Sequence, residues 1–267
     1  MNRNAFAVLA SVLICCSSSS SQTGTKSKRP LPYEYGRVVI SNYSENAGLA
    51  PVVFDHWIHR AKFTCRVCHV DIGFAMKAGG TGIRAVDNER GFYCGACHDG
   101  KRVVEGKVVF QACSESVETA DAKRCVRCHS LGKEVASDYD FFAFSKPLPK
   151  GRFGNGIDWE KAEMLGLIKP AAFLEGVSTG PNAFPVQKDF ALDPKVEGMP
   201  DIIFSHKKHT AWNGCEVCHP DIFGVKRGST QYTMADNSQG KYCGACHKTV
   251  AFPLTDCQRC HSKPVQE

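Results

Sequence analysis

Six times in 267 residues the chain reads Cys-x-x-Cys-His. The triplets are Cys65, Cys68 and His69, then Cys94, Cys97 and His98, then Cys125, Cys128 and His129. After a long interval come Cys215, Cys218 and His219, then Cys243, Cys246 and His247, and last Cys257, Cys260 and His261. A Cys-x-x-Cys pair alone suits a dithiol redox centre, a zinc knuckle or a structural disulfide. None of these needs a histidine directly after the second cysteine. By composition a position is His roughly once in 27, so chance does not supply six.

Covalent haem attachment does need that order. Two thiols three positions apart can each add to one vinyl group of a haem. The next residue then lies under the ring, where its imidazole takes the proximal iron position. The motifs imply haem c as cofactor, six per chain, and use 12 of the 15 cysteines. Such a chain folds around its haems. Each unit is too small to bury enough side-chain surface alone, so the haems form most of its core. Regular structure is expected to be sparse, with a short helix at each attachment motif and short strands ahead of it, such as one at Val38 to Ile40.

The chain also repeats itself. Phe54-Asp-His56-Trp-Ile-His59 precedes Cys65, and Phe204-Ser-His206-Lys-Lys-His209 precedes Cys215, at an offset of 150. Gly91-Phe-Tyr-Cys-Gly-Ala-Cys-His98 matches Gly240-Lys-Tyr-Cys-Gly-Ala-Cys-His247. This gives two tandem trihaem units, residues 51–133 and 198–267. Residues 22–50 form an N-terminal extension. The first unit carries an insertion between its second and third motifs, and the leftover Cys113 sits there as an inert thiol or an intermolecular pairing site. Residues 134–197 connect the units. Phe141, Phe142, Phe144 and Trp159 are too apolar for a free tether, so the connector should pack over one or both units. A helix is expected from Trp159 to Leu165, with Asp158 as N-cap and Pro170 as a stop beyond it.

Ten histidines are present, and six are proximal. The other four, His56, His59, His206 and His209, form two His-x-x-His pairs at the same distance ahead of a motif. Imidazole is a common iron ligand, and no histidine is spare, so all four are candidates for the far side of an iron.

Phe-x-His-x-x-His followed by three Cys-x-x-Cys-His motifs resembles the small trihaem c7-type cytochromes, over residues 51–131 and 198–263. The Gly-Asn-Gly-Ile-Asp-Trp stretch at 154–159 resembles the connectors of longer, multi-unit members. The resemblance implies a multihaem cytochrome fold of short helices around stacked haems. It also implies ligand roles. The first histidine of each pair, His56 or His206, would serve the haem on Cys65/Cys68 or Cys215/Cys218. The second, His59 or His209, would serve the haem on Cys94/Cys97 or Cys243/Cys246. Small members carry another histidine between the first two motifs for the third haem. This chain has none there. Each half instead has one methionine in that interval, Met76 and Met234, and longer members use His/Met at this haem. A thioether ligand would raise the potential. The two methionines do not align, since Met76 falls opposite Val225 and Met234 opposite Ala85.

Residues 1–21 have the form of a secretory leader. Arg3 precedes an apolar run from Ala5 to Ile14, too short to span a bilayer, and serines follow. Cys15 and Cys16 stand where a lipoprotein would be lipidated, with cleavage inside the serine run as the alternative. The chain is therefore expected to be exported, either periplasmic or attached to the outer membrane. A lipid anchor would be its only membrane contact.

The formal net charge of +6 could suggest nucleic acid. Six haems, however, bring about 12 propionate charges, offset by about +1 for each ferric core. The basic residues balance the cofactor, and no nucleic-acid partner is expected. Bis-His iron has no vacant site, which leaves one-electron exchange with redox protein donors and acceptors, and an outer-membrane cytochrome complex is a candidate partner. The expected function is electron transfer, without catalysis. Two rivals are an oxyanion reductase with an open iron at a third haem, and a structural subunit of a conductive haem assembly.

Overall fold

The computed structural model describes residues 29–113, 125–133, 139–180, 185, 187–194 and 196–263. The leader at 1–21, with Cys15 and Cys16, lies outside them.

The two halves open alike. In the first, β1 (Arg37–Ile40) pairs antiparallel with β2 (Val52–Asp55), Val38 opposite Phe54. In the second, β5 (Phe190–Leu192) pairs antiparallel with β6 (Ile202–Phe204), Phe190 opposite Phe204. β-branched and aromatic residues suit this half-buried pleated surface. The expected strand at 38–40 is present and starts one residue earlier. Its ladder is locked at one end by a fork from Arg37 to the buried Asp55 carboxylate, at 2.7 and 3.1 Å.

Each second strand leads straight into a helix that carries the His-x-x-His pair. These are α1 (His56–Arg60) and, in the second half, α5 (His206–Asn213). Positions three apart share one helix face. The two histidines therefore point one way while Trp57 turns the other way into the core, where it is 4% exposed.

The attachment motifs lie on single turns. The first runs into a π-helical turn at Val67–Asp71 and the second lies on a 3₁₀ turn at Tyr93–Ala96. The fifth and sixth lie on α7 (Gly244–His247) and α8 (Cys257–Cys260). In five motifs the histidine N–H donates to the carbonyl of the first cysteine, at 2.8 to 3.0 Å. The fourth motif departs from the expected helix. Gly214, at φ +68°, ends α5 immediately before Cys215, and the motif continues as turns. In the insertion, β3 (Val103–Val104) and β4 (Lys107–Val108) form a hairpin whose turn residues Glu105 and Gly106 both have positive φ.

The Gly-Ala inside motifs two and five has a steric cause. A Cβ on Gly95 would lie 1.8 Å from the carbonyl oxygen of Asn88 on α2 (Ala85–Glu89). One on Gly244 would lie 1.8 Å from that of Asn237 on α6 (Met234–Ser238). Only glycine admits this approach.

The connector is more than a covering. Phe141, Leu148, Ile157, Trp159, Ala162 and Ile168 form the hydrophobic core of the described residues together with Trp57 of the first half, and Trp212 of the second packs against it. Two helices frame it, α3 (Phe141–Ser145) and α4 (Trp159–Met164). As expected, Asp158 caps α4, accepting from Lys161 N–H. Gly154 and Gly156 adopt positive φ, which turns buried Asn155 so that its Oδ1 accepts from Ile157 N–H and Trp159 Nε1. Phe142 departs from the expectation and is 60% exposed, because it faces away from the cluster that takes Phe141.

Candidate functional site

All six proximal histidines are held the same way. Nδ1 of His69, His98, His129, His219, His247 and His261 lies 2.6 to 3.3 Å from the backbone carbonyls of Phe74, Phe110, Ala50, Phe223, Phe252 and Pro200 respectively. A ring that donates from Nδ1 keeps its lone pair on Nε2, the tautomer a metal needs. The acceptors repeat with the halves. Phe74 and Phe223 serve the first motif of each half. Phe110 and Phe252 serve the second, and their rings also pack on the imidazoles at 4.4 and 4.3 Å. Ala50 and Pro200 serve the third and tie the end of each unit to its beginning.

The His-x-x-His residues follow the same rule. Nδ1 of His56 meets the Gly36 carbonyl at 2.5 Å, and that of His206 meets the Lys188 carbonyl at 3.0 Å. His209 Nδ1 meets Ser205 O at 2.8 Å. His59 is the weakest case, since its buried Nδ1 makes no hydrogen bond of normal geometry, although the Asp55 carbonyl, the counterpart of Ser205 O, acts on it. Burial holds His59 neutral, its pKa lowered to about 3, and lowers that of His56 to about 4. Phe54 packs on both of its histidines at 4.9 and 4.4 Å, and Phe204 does the same at 5.0 and 4.4 Å. Sequence reasoning missed these phenylalanines and the carbonyl acceptors as parts of the site. The repeated Phe was a signal, whereas backbone acceptors leave none.

Three His-x-x-His rings each face a motif histidine across a gap. His56 and His69 have centroids 6.5 Å apart with planes 8° apart. His59 and His98 are 6.3 Å apart, and His209 and His247 6.1 Å. Two imidazole nitrogens at about 2 Å from one metal put the ring centroids about 6 Å apart, so each gap has room for one iron. Among the described residues, His206 makes its ring contacts with Phe190 and Phe204 and none with His219.

Every described cysteine is a free thiol, so no Cys-x-x-Cys pair forms a disulfide. Burial pushes the Cys68, Cys94 and Cys246 thiols up to about 12, and Cys128 and Cys243 to about 11. A reactive redox dithiol needs the opposite, a stabilised thiolate. No cluster of three or more His, Cys, Asp or Glu able to hold a metal ion occurs among the described residues. The donor set therefore fits covalently attached haem, with neutral thiols in apolar surroundings and lone imidazole pairs.

The sulfur candidates are less enclosed. Met76 is 39% and Met234 52% exposed. Asn237 Nδ2 lies 3.8 Å from Met234 Sδ. The equivalent Asn88 Nδ2 lies 3.7 Å from Cys113 Sγ, so in the first half the spare thiol stands where the second half has a thioether.

The halves meet motif to motif. Arg66, within the first motif, donates to Glu216, within the fourth, at 2.9 Å, and to Asp71 at 3.1 Å. The contact links residues 150 apart, the repeat offset itself. Among the described residues no helix is long and apolar enough to cross a membrane.

No curated protein matches the chain. Among solved structures, a c7-type three-haem cytochrome domain is 38% identical over 30% of this chain and 99% of its own, with a TM-score of 0.27. The C-terminal hexahaem fragment of a dodecahaem cytochrome c is 24% identical over 88% and 99%, with a TM-score of 0.25. The dodecahaem cytochrome c itself is 26% identical over 88% and 75%, with a TM-score of 0.26. At these TM-scores no arrangement is carried from one chain to another. A family model described as cytochrome c7 and related cytochrome c matches residues 52–130 and 202–262, just over half of the chain. The chain, with its repeated attachment motifs and its tethered imidazoles, belongs to this family of multihaem c-type cytochromes.

Proposed function

We propose that the protein carries six haems c and transfers single electrons between redox proteins in extracytoplasmic respiration, without catalysing a reaction of its own. The observation that carries this reading is the set of three imidazole pairs at 6.1 to 6.5 Å, each joining a His-x-x-His residue to a proximal histidine. The bound haem supplies one-electron exchange between ferric and ferrous iron. The chain supplies the rest. Twelve cysteines attach the six groups, and His69, His98, His129, His219, His247 and His261 each hold one face. His56, His59 and His209 would supply a second imidazole at three positions, and His206 would do so at the fourth. An iron held by two imidazoles would have no site for a substrate, which favours a carrier over a reductase at those four positions. Met234 is the proposed second ligand at Cys257/Cys260, and Met76 that at Cys125/Cys128. Residues 1–21 are proposed to direct export, and the two trihaem units to span residues 51–133 and 198–267.

Intact mass of protein made with a haem-ligation system tests the count. Six haems on twelve thioethers are expected. Fewer than six, with every motif cysteine modified in the digest, would sink the reading.

A further inference from the structure

One face of the repeated unit is covered in the first half and open in the second. In the first half the connector folds a turn onto it. The Val177 and Ser178 N–H groups both donate to the Leu174 carbonyl, at 3.0 and 2.8 Å, and Gly176 takes φ +76° inside the turn. Ser178 Oγ donates to the Asp71 carboxylate at 2.6 Å. Beside it the Glu175 carbonyl accepts from Arg102 at 3.2 Å, and Arg102 also donates to the Ala96 carbonyl at 3.1 Å. The Asp71 side chain is left 1% exposed, and Leu174 is buried outside the main core. In the second half the counterparts of Asp71 and Ala96 are Asp221 and Ala245. They line an open cleft of about 300 Å³ with Ile222, Gly240, Lys241 and Tyr242. Asp221 is exposed, and among the described residues its carboxylate has no hydrogen bond or ion pair. Arg66, the cation that holds Asp71, is matched in the second half by Glu216. No cysteine and no histidine lines the cleft, so it stands apart from the candidate haem ligands.

We propose that this cleft docks the connector turn of another cytochrome of like build, an apolar side chain followed four residues later by a hydroxyl that donates to Asp221. The first half shows what such a face takes, since repeated units bury corresponding faces against corresponding segments. Charge points the same way, because a carboxylate without a cation of its own accepts from an incoming donor. The size is at the lower end for small-molecule pockets, and the open side suits the side chains of a docked segment. A second copy of this chain does not supply the turn, because its own turn is engaged by its own Asp71. Only the turn carries over. In the first half Ala171 also pairs with Lys62 and Thr64, whereas in the second α5 runs on to Asn213 and the Gly214 N–H is taken by the Thr210 carbonyl. The inference stands on contacts between protein groups and does not depend on the number of haems.

The test uses the full-length holoprotein, labelled with nitrogen-15, and a synthetic peptide of residues 172–180. As peptide is added, the amide resonances of Asp221, Ile222 and Tyr242 should shift and saturate. Peptide carrying Ser178→Ala should bind about tenfold more weakly, the size of one hydrogen bond to a charged group. Asp221→Ala protein should show the same loss, and the two changes together should cost little more than either alone. Should Asp221→Ala fail to assemble, the peptide variant decides, since it leaves the protein untouched. No saturable shift at these three residues with millimolar peptide would overturn the proposal, as would equal binding of the Ser178→Ala peptide. Shifts at Asp71 instead would show that the peptide only displaces the turn already in place, which also overturns it. Concentration-dependent shifts at the cleft without peptide would put a second copy there and overturn it as well.

Discussion

At the scale of single residues, the proposed ligand scheme divides each His-x-x-His pair between two neighbouring haems. His59 faces His98 at 6.3 Å, whereas His56 faces His69 at 6.5 Å. His59→Ala should therefore leave the haem at Cys94/Cys97 high-spin or water-bound while the haem at Cys65/Cys68 stays low-spin. His56→Ala should do the reverse. Electron paramagnetic resonance reads both, and a fully low-spin spectrum in either variant without a replacement ligand would contradict the pairing. The proposed thioether ligands make a separate prediction. The weak far-red band of ferric iron bound to methionine sulfur should be present. Met234→Ala should remove about half of it and Met76→Ala the rest. If Met76→Ala is silent and Cys113→Ser alters the spectrum, the sulfur at Asn88 is the ligand in the first half. The sequence singled out these histidines by their spacing, and the structure brings three of the His-x-x-His rings opposite a motif histidine. It did not reveal what orients them. Gly36, Ala50 and Pro200 act through backbone carbonyls, and a carbonyl carries no mark in the residue that bears it.

At the scale of elements, the second motif of each half shows how tightly a turn can be specified. α2 and α6 bring a carbonyl to where a side chain at Gly95 or Gly244 would stand. The preceding residues, Tyr93 and Tyr242, take positive φ of 47° and 48°, a conformation that costs a non-glycine residue about 1–3 kcal/mol. Their rings pack on Phe74 and Phe223 at 5.7 and 5.9 Å, which helps to hold it. Gly244→Ala should cost about 1–3 kcal/mol through overpacking. It should lower the thermal midpoint and reduce haem occupancy at Cys243/Cys246 more than elsewhere, as a digest mass spectrum would report. An unchanged midpoint would mean that the Asn237 turn yields easily. In the connector, α4 was legible from an aspartate ahead of a tryptophan. Asp158→Ala should cost about 0.5–2 kcal/mol as a lost cap, and it also removes one partner of Arg259. β1 was legible at Val38 to Ile40, whereas β5 was not. Their value lies in register with β2 and β6, and in placing Gly36 and Lys188 beside histidines 18 to 20 residues away.

For the whole molecule, the connector is the element whose role the sequence understated. Its aromatic residues announced that it packs, but not that it would assemble the main side-chain core and receive Trp57 and Trp212 from both halves. Contacts between residues distant in sequence are invisible to local pattern. Polar links continue the same joint, as Lys208 and Arg259 reach Glu160 on α4. The halves also touch directly through Arg66 and Glu216, which are 11% and 38% exposed. Glu216→Gln should destabilise the holoprotein by up to about 1 kcal/mol, and by less in an Arg66→Gln background, where the partner is already gone. Thermal unfolding of the four-member cycle measures the coupling, and strictly additive effects would show that the pair contributes nothing. This contact has a bearing on self-recognition. Arg66 and Glu216 hold corresponding places in two like units, so each half presents the charge the other lacks. If two first halves met through this face, arginine would oppose arginine. If two second halves met, glutamate would oppose glutamate. Duplication alone would leave each surface indifferent between a like and an unlike half, and this divergence favours a first half against a second.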